Sequence, residues 1–387
     1  EEVEVRMTLA GLLGGEIRVE TIDVIRPVIA FERLATGQGS WHLKSQAPAS
    51  EFRLLDRIRL DQISVTDGTV HLIDNRRSGK ATITNVNATL SAQNFVGPWR
   101  LRGMAAYRDR PIELAVNTGI WTEDAPFKFG FRIGSADGSG LVYQFDGVND
   151  GNHVTGGLRV QPAASVDGRS DAEGQLRPLV MTAQVTSDFN TVALDKIEIS
   201  PRDQNSEGAN LLTGSAEIAL GANVSLKTDL RATRFDLDQV AGAKAKSLLR
   251  EGGGLALLEN TLGLMPDDVD IDATLGVTSL VVGGEAIDNA KLAFAVNQEA
   301  IRIKELSAGM PGQARGLFTG TFVVTDSGPQ LAGDLAGEAG NLREFVSWVW
   351  PEGRGDIARV WTGSRGRFKL QTRLDATYGQ LRLQELK

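Results

Sequence analysis

With 387 residues, a formal charge of -8 and no cysteine, the chain is set apart from several protein classes at once. An acidic balance speaks against a nucleic-acid partner, which needs a basic footprint, and gives no general attraction to an anionic membrane surface. Without cysteine there is no disulfide, thiolate metal site or cysteine nucleophile, and no run reaches the ~18 apolar residues of a membrane-spanning helix.

In chain order, Val3, Val5, Met7 and Leu9 alternate with polar residues and predict a first strand, ended by Gly11. Ile17 and Val19 alternate in the same way, but Ile22 and Val24 take the opposite parity. Strand side chains repeat every two residues, so this slip inverts the apolar face unless a bulge or sharp bend at Glu20-Thr21 absorbs one residue. Arg26-Pro27 interrupts, Val28 to Arg33 with Phe31 forms a further strand, and Thr36 to Gly39 turns the chain before Trp41. The stretch from Ile58 repeats this logic. Ile58 and Leu60 share one parity, Ile63 and Val65 the other, and a turn at Asp67-Gly68 precedes Val70 and Leu72.

Further runs carry Val86, Ala88 and Leu90, then Trp99 and Leu101, then Ile112, Leu114 and Val116. Phe127, Phe129, Phe131 and Ile133 follow, then Leu141, Tyr143 and Phe145, each run bounded by Gly, Asp, Asn or Pro. Strands at roughly ten-residue spacing predict a mainly β, long, curved antiparallel sheet, because such short linkers hold no crossover helix. Residues 147–175 are richer in Gly, Asp and Ser, with weaker strands near Val154 and at Leu158-Val160. Alternation resumes at Leu179 and runs through Ile199, then from Leu212 past Leu226 to Leu230.

Residues 236–265 differ. Leu248, Leu255, Leu258, Leu262 and Met265 fall at helical spacing, Asp236 or Asp238 can cap the start, and Gly252 to Gly254 splits the segment into two short helices. Ile271, Leu292, Phe294, Ile301, Phe318 and Phe322 then mark a return to strands. A short helix near 341–350, ended by Pro351, turns Phe345, Trp348 and Val349 to its apolar side, and strands from Phe368 close the chain. The expected organisation is a curved sheet over 1–146, its continuation over 147–235, a helical insertion at 236–265, and a last sheet with the short helix over 266–387. Both ends fall inside alternating runs, so the chain is expected to be a piece of a longer protein.

Chemical motifs are weak. His42, His71 and His153 have no partner at metal-ligand spacing. The loop from Asp146 has Val148 at the third position and Gly157 at the twelfth, which breaks a calcium-loop pattern. Gly134 to Gly140 reads as a hairpin turn, no G-x-S-x-G elbow occurs, and Gly252 to Gly254 lacks the Lys-Ser/Thr of a phosphate loop. Basic clusters at 76–80 and 365–369 fit a solvated turn and a charge-guarded strand edge, or else a contact for lipid head groups or a protein partner. No enzyme activity, metal or cofactor is expected. What remains is the apolar stripe, which is either an ordinary sandwich or barrel core or the lining of a groove.

The residues Leu12 to Ile17 (LLGGEI), Ile25 to Ile29 (IRPVI) and Gly39 to Trp41 (GSW) resemble the opening signature of the AsmA family, with Ser40 where Asn is usual. Ile58 to Asp74 resembles the family's next unit, and Asp268 to Thr321 its C-terminal region. The resemblance implies a β-taco-like groove in the periplasm of a Gram-negative bacterium, held to the inner membrane by an N-terminal helix absent from this fragment. It implies phospholipid as the partner, moved toward the outer membrane, with possible envelope protein partners and no catalytic residues. The lipid-binding positions would be Val19, Phe31, Leu60, Leu101, Leu114, Val116, Phe129, Phe131, Phe145, Leu226, Ile271, Leu292, Phe294 and Phe322. An apolar gutter would remove most of the ~13 kcal/mol that exposes an acyl chain of about sixteen methylenes, at ~0.8 kcal/mol each. The rival expectation is a scaffold for envelope assembly that carries no lipid.

Overall fold

The structure, a computed structural model, describes residues 2–7, 17–34, 39–40, 58–75, 79–92, 96–122, 125–163, 178–202, 210–221, 223–241, 258–259, 262–263, 268–325, 328–349, 367–378 and 380–385. Among them the chain is mainly β, with 21 strands and two helices. It divides into two units, Glu1–Gly168 with Val180–Val192, and Arg169–Leu179 with Ala193–Lys387.

The first unit is an open sheet. Its strands are β1 (Glu2–Met7), β2 (Ile17–Ile25), β3 (Val28–Arg33), β4 (Ile58–Asp74), β5 (Gly79–Ala92), β6 (Trp99–Tyr107), β7 (Arg110–Thr118), β8 (Phe127–Ser135), β9 (Leu141–Asn149), β10 (Val154–Pro162) and β11 (Leu179–Ser187). From β4 to β11 each strand pairs antiparallel with the next, as the short linkers predict. The opening differs: β2 and β3 lie end to end along β4, and both run parallel to it.

Two matched kinks produce that arrangement. Arg26 takes φ 52°, and its N–H donates to the Thr66 carbonyl at 2.8 Å, while the Thr69 N–H donates to the Pro27 carbonyl at 2.8 Å. Across from this, Asp67 takes φ 55° and its N–H donates to the Asn87 side-chain oxygen at 3.1 Å. Asp67-Gly68 is therefore a bend inside one 17-residue strand, where alternation alone predicts a turn between two strands. A Cβ on Gly68 would lie 2.9 Å from Val65 Cγ1, so the bend needs glycine there. The predicted bulge in β2 is present: Arg6 opposes Thr21 and Met7 opposes Val19, leaving Glu20 as the extra residue.

Phe145 lies over a glycine pair. Cβ atoms built on Gly147 and Gly156, which face each other across β9 and β10, would meet Phe145 Cζ at 2.5 and 2.6 Å. The backbone oxygen of Asp146 also blocks the Gly156 position. Gly156→Ala is expected to destabilise this unit by about 1–3 kcal/mol, because overpacking forces the ring and backbone apart. Urea unfolding followed by intrinsic fluorescence measures it.

β12 (Thr191–Pro201) begins in the first unit and continues in the second. The second unit also holds β13 (Leu212–Leu220), β14 (Val224–Asp236), β15 (Val269–Val282), β16 (Glu285–Val296), β17 (Ala300–Met310), β18 (Ala314–Thr325), β19 (Gly328–Ala339), β20 (Phe368–Thr377) and β21 (Gln380–Gln384). β14 and β15 pair in parallel, and the ladders from β15 to β21 are antiparallel. The parallel ladder can form because residues 237–268 supply a long crossover.

Helix α1 (Leu237–Ala241) follows β14 directly. Asp236 caps it, accepting the Gln239 N–H at 2.9 Å, while Asp238 accepts the N–H groups of Gly283 and Gly284 at 2.9 and 2.7 Å. Leu258 and Leu262 lie in helical backbone, as their spacing predicts; Leu248, Gly252 to Gly254, Leu255 and Met265 lie outside the described residues. Helix α2 (Leu342–Val349) starts at a reciprocal cap, with the Asn341 amide donating to Glu344 Oε2 at 3.0 Å and the Glu344 N–H donating back at 3.4 Å. Its buried positions are Leu342 and Val346, with Phe345 packed beside them and Trp348 in ring contact with Phe345 at 6.3 Å. The bond from the Asn341 N–H to the Gly312 carbonyl fixes which side of the helix meets the sheet, and that side starts at Leu342.

Candidate functional site

Residues opposed across a ladder share a face, so the register settles which side chains form a common surface. In the first unit Val5 opposes Ile22, Ile22 opposes Ile63, Ile63 opposes Leu90, and Leu90 opposes Leu101. Leu101 then opposes Val116, Val116 opposes Phe131, Phe131 opposes Phe145, Phe145 opposes Leu158, and Leu158 opposes Ala183. One apolar row thus crosses ten strands, from β1 through β2 and β4 to β11. The next row on the same face includes Val24, Val65, Ala88, Leu114, Ile133, Tyr143 and Val160. The opposite face carries Ser64, Thr89, Arg102, Arg132, Gln144 and Arg159 in register.

All nine candidate residues of this unit fall on the apolar face by register. Val19 opposes both Met7 and Leu60, and the Glu20 bulge keeps these positions on the side of Ile22. Phe129 lies two residues before Phe131 in β8, and Phe31 opposes Leu72, which opposes Ala81. The rings form a chain: Phe127 stacks on Phe129 at 6.5 Å, Phe129 meets Phe145 at 5.4 Å, and Phe145 meets Phe131 at 5.5 Å. Phe145 is buried, yet large side chains on the same face stay open to solvent, among them Phe31 at 39% and Tyr143 at 44%.

The sheet of this unit is coiled around that face. Arg33, at the end of β3, donates from Nη2 to the carbonyl of Phe189 in the β11–β12 turn at 3.0 Å. β3 and β11 are eight strand-to-strand steps apart, which in a flat sheet is ~38 Å at ~4.8 Å per step. Twist alone rotates the strands without shortening that span, so a 3.0 Å contact between the β3 end and the turn after β11 requires the sheet to curl between them. Arg33 shares the parity of Phe31, so the bond is made from the apolar side and that side is the concave one.

In the second unit the register likewise unites the remaining candidates. Leu226 opposes Ile271, Ile271 opposes Val296, Val296 opposes Ile301 and Ile301 opposes Phe322. Phe294 and Leu292 lie in the adjoining rows of the same face. Here the chain covers its own surface. Leu262 packs into a cluster with Val296, Ile301 and Phe322, joined by Leu258, Ile271, Phe294 and Leu331, and Phe322 is fully buried. At the other end of the strands α2 sits on Ala314 and Ala339, with Met310 and Phe368 alongside. Tyr378 donates its hydroxyl to Glu259 at 2.6 Å, which ties the covering segment to the β20–β21 turn and pushes the phenol up.

Three turns of the first unit, two of them singled out in the sequence, are held by aspartates. Asp137, in the Gly134 to Gly140 hairpin, accepts from the Ser135 hydroxyl and the Ser139 N–H, which holds its carboxyl at about 2. Asp150 accepts the N–H groups of His153 and Asn152, which lowers its carboxyl. Asp188 does the same in the turn that presents Phe189, accepting from the Thr191 and Asn190 N–H groups and the Thr191 hydroxyl. A carboxyl lowered by folding stabilises the turn above its ordinary pKa, 3.8, and the contribution fades as the pH falls below that value. Acidification from pH 5 toward 2 is therefore expected to lower the protection factor of the Thr191 amide (observed exchange relative to the intrinsic rate at each pH), and Asp188→Ala should remove that dependence.

Among the described residues no group of three or more His, Asp or Glu side chains is placed to hold a metal, and no helix is long and apolar enough to cross a membrane. His71 hydrogen-bonds Thr82 at 3.1 Å. His42, Arg76 to Ser78, Arg365 and Gly366 lie outside the described residues. No family model, curated protein or solved structure matches this chain.

Sequence reasoning missed Arg33, whose signal was a charge at an apolar-parity position two residues after Phe31. The cover over Phe322 falls where the helical spacing of Leu258 and Leu262 places a segment able to cover or plug part of the groove.

Proposed function

We propose that the concave apolar face of the first unit binds phospholipid acyl chains, and that the protein is an AsmA-like lipid carrier of the bacterial envelope. On this reading it is periplasmic, anchored to the inner membrane, and passes phospholipid toward the outer membrane without catalysis. The observation that carries the proposal is the apolar row across ten strands, coiled inward while Phe31, Leu72 and Tyr143 on its face stay open to solvent. A packed core has no reason to leave such residues wet. At ~25 cal/mol per Å², an occupant covering on the order of 400 Å² of this face gains about 10 kcal/mol.

A second reading, a scaffold that carries no lipid, is favoured by the second unit, where Leu262 and α2 cover the equivalent face. Gentle purification of the full chain followed by native mass spectrometry separates the two. The carrier retains phospholipid that detergent exchange removes. A chain that emerges lipid-free, and takes up none from vesicles, is a scaffold.

A further inference from the structure

The concave face of the first unit is reached from outside along a seam between β3 and the β11–β12 turn, and the bond from Arg33 Nη2 to the Phe189 carbonyl spans that seam. Apolar side chains stand open on both sides of it. Phe31 and Leu72, which oppose each other, and Leu34 flank Arg33, while Phe189 lies across the seam at 40% exposure. We propose that this seam is the lateral portal by which a lipid acyl chain passes into the trough, with Arg33 as its latch. This rests on the lipid-binding reading of the same face.

The chemistry of the latch suits a gate. Its acceptor is a neutral backbone carbonyl at the surface, so the bond is weak enough to open thermally, while the guanidinium keeps its charge and returns to the carbonyl. Asp188 holds that carbonyl in place by fastening the turn around it. The exposed Phe31, Leu72 and Phe189 give an incoming chain apolar contact at the rim, and Leu72 lies two residues from Val70, which opposes Ile83 and through it Tyr107 on the same face. An apolar path interrupted by a breakable polar link is what lateral loading of a hydrocarbon chain requires.

The test uses the full chain, whose lack of cysteine makes introduced thiols unique. Leu34→Cys and Phe189→Cys carry spin labels; Phe189 contributes its carbonyl to the latch, and cysteine keeps that group. The expected result is a short, narrow distance distribution that lengthens and broadens on adding Arg33→Ala. Uptake of fluorescent phospholipid from phosphatidylethanolamine/phosphatidylglycerol vesicles should then rise at least threefold, with Arg33→Lys between the two. Bridging the two cysteines with a short bismaleimide should suppress uptake in both backgrounds while circular dichroism is unchanged. An unchanged distance in Arg33→Ala overturns the latch. An opened seam with unchanged uptake, or uptake that persists after bridging, overturns the portal. If the seam opens but no variant takes up lipid, the lipid-binding reading has failed, and the portal with it.

Discussion

Phe322→Ala is expected to destabilise the second unit by about 3–5 kcal/mol, enough to unfold it near physiological temperature. Phe322 is fully buried, opposes Ile301 and Leu331 across two ladders, and is roofed by Leu262 with Leu258. Removing the ring leaves a cavity that neither the sheet nor the roof can close, because each is held elsewhere: the roof by Tyr378 on Glu259, the sheet by its ladders. Thermal unfolding should show the loss of one transition, while the first unit keeps its own. A midpoint unchanged within error would mean that the roof is loosely seated and that this face, too, is accessible.

Phe131→Asp should have the opposite signature. Phe131 sits within the ten-strand row, half-buried between Val116 and Phe145. A carboxylate there can stay hydrated, so the fold should lose only about 1–2 kcal/mol, in the range of ordinary substitutions. Bound phospholipid should fall at least tenfold, since an ionised group in the path of hydrocarbon is costly to dehydrate. Phe131→Leu, which keeps the surface apolar, should retain the lipid. If Phe131→Asp instead unfolds the unit, the face is a closed core and the carrier proposal falls.

The two substitutions separate what the alternation pattern could not. Phe131 and Phe322 look alike in sequence, each an apolar residue at strand parity, and both are candidates for one groove on that pattern. In the structure one is half-open and the other is sealed. The difference comes from Leu258 and Leu262, which lie about sixty residues before Phe322, and nothing within β18 announces it.

Most strand positions and the Glu20 bulge follow from the sequence alone, because a side-chain period of two makes a parity slip demand an inserted residue, whereas which parity faces the trough was settled only by the ladder register. Asp236 as a helix cap was legible for a similar local reason: a short carboxylate reaches the N–H three residues on. Partner choice was not local. That β2 and β3 share β4 in parallel, that Asp67-Gly68 bends a strand without ending it, and that Arg33 meets Phe189 all depend on matching two distant stretches of backbone. Side-chain alternation sorts a strand's residues onto two faces; only the register and curl of the assembled sheet decide what each face meets, and whether that surface is left open.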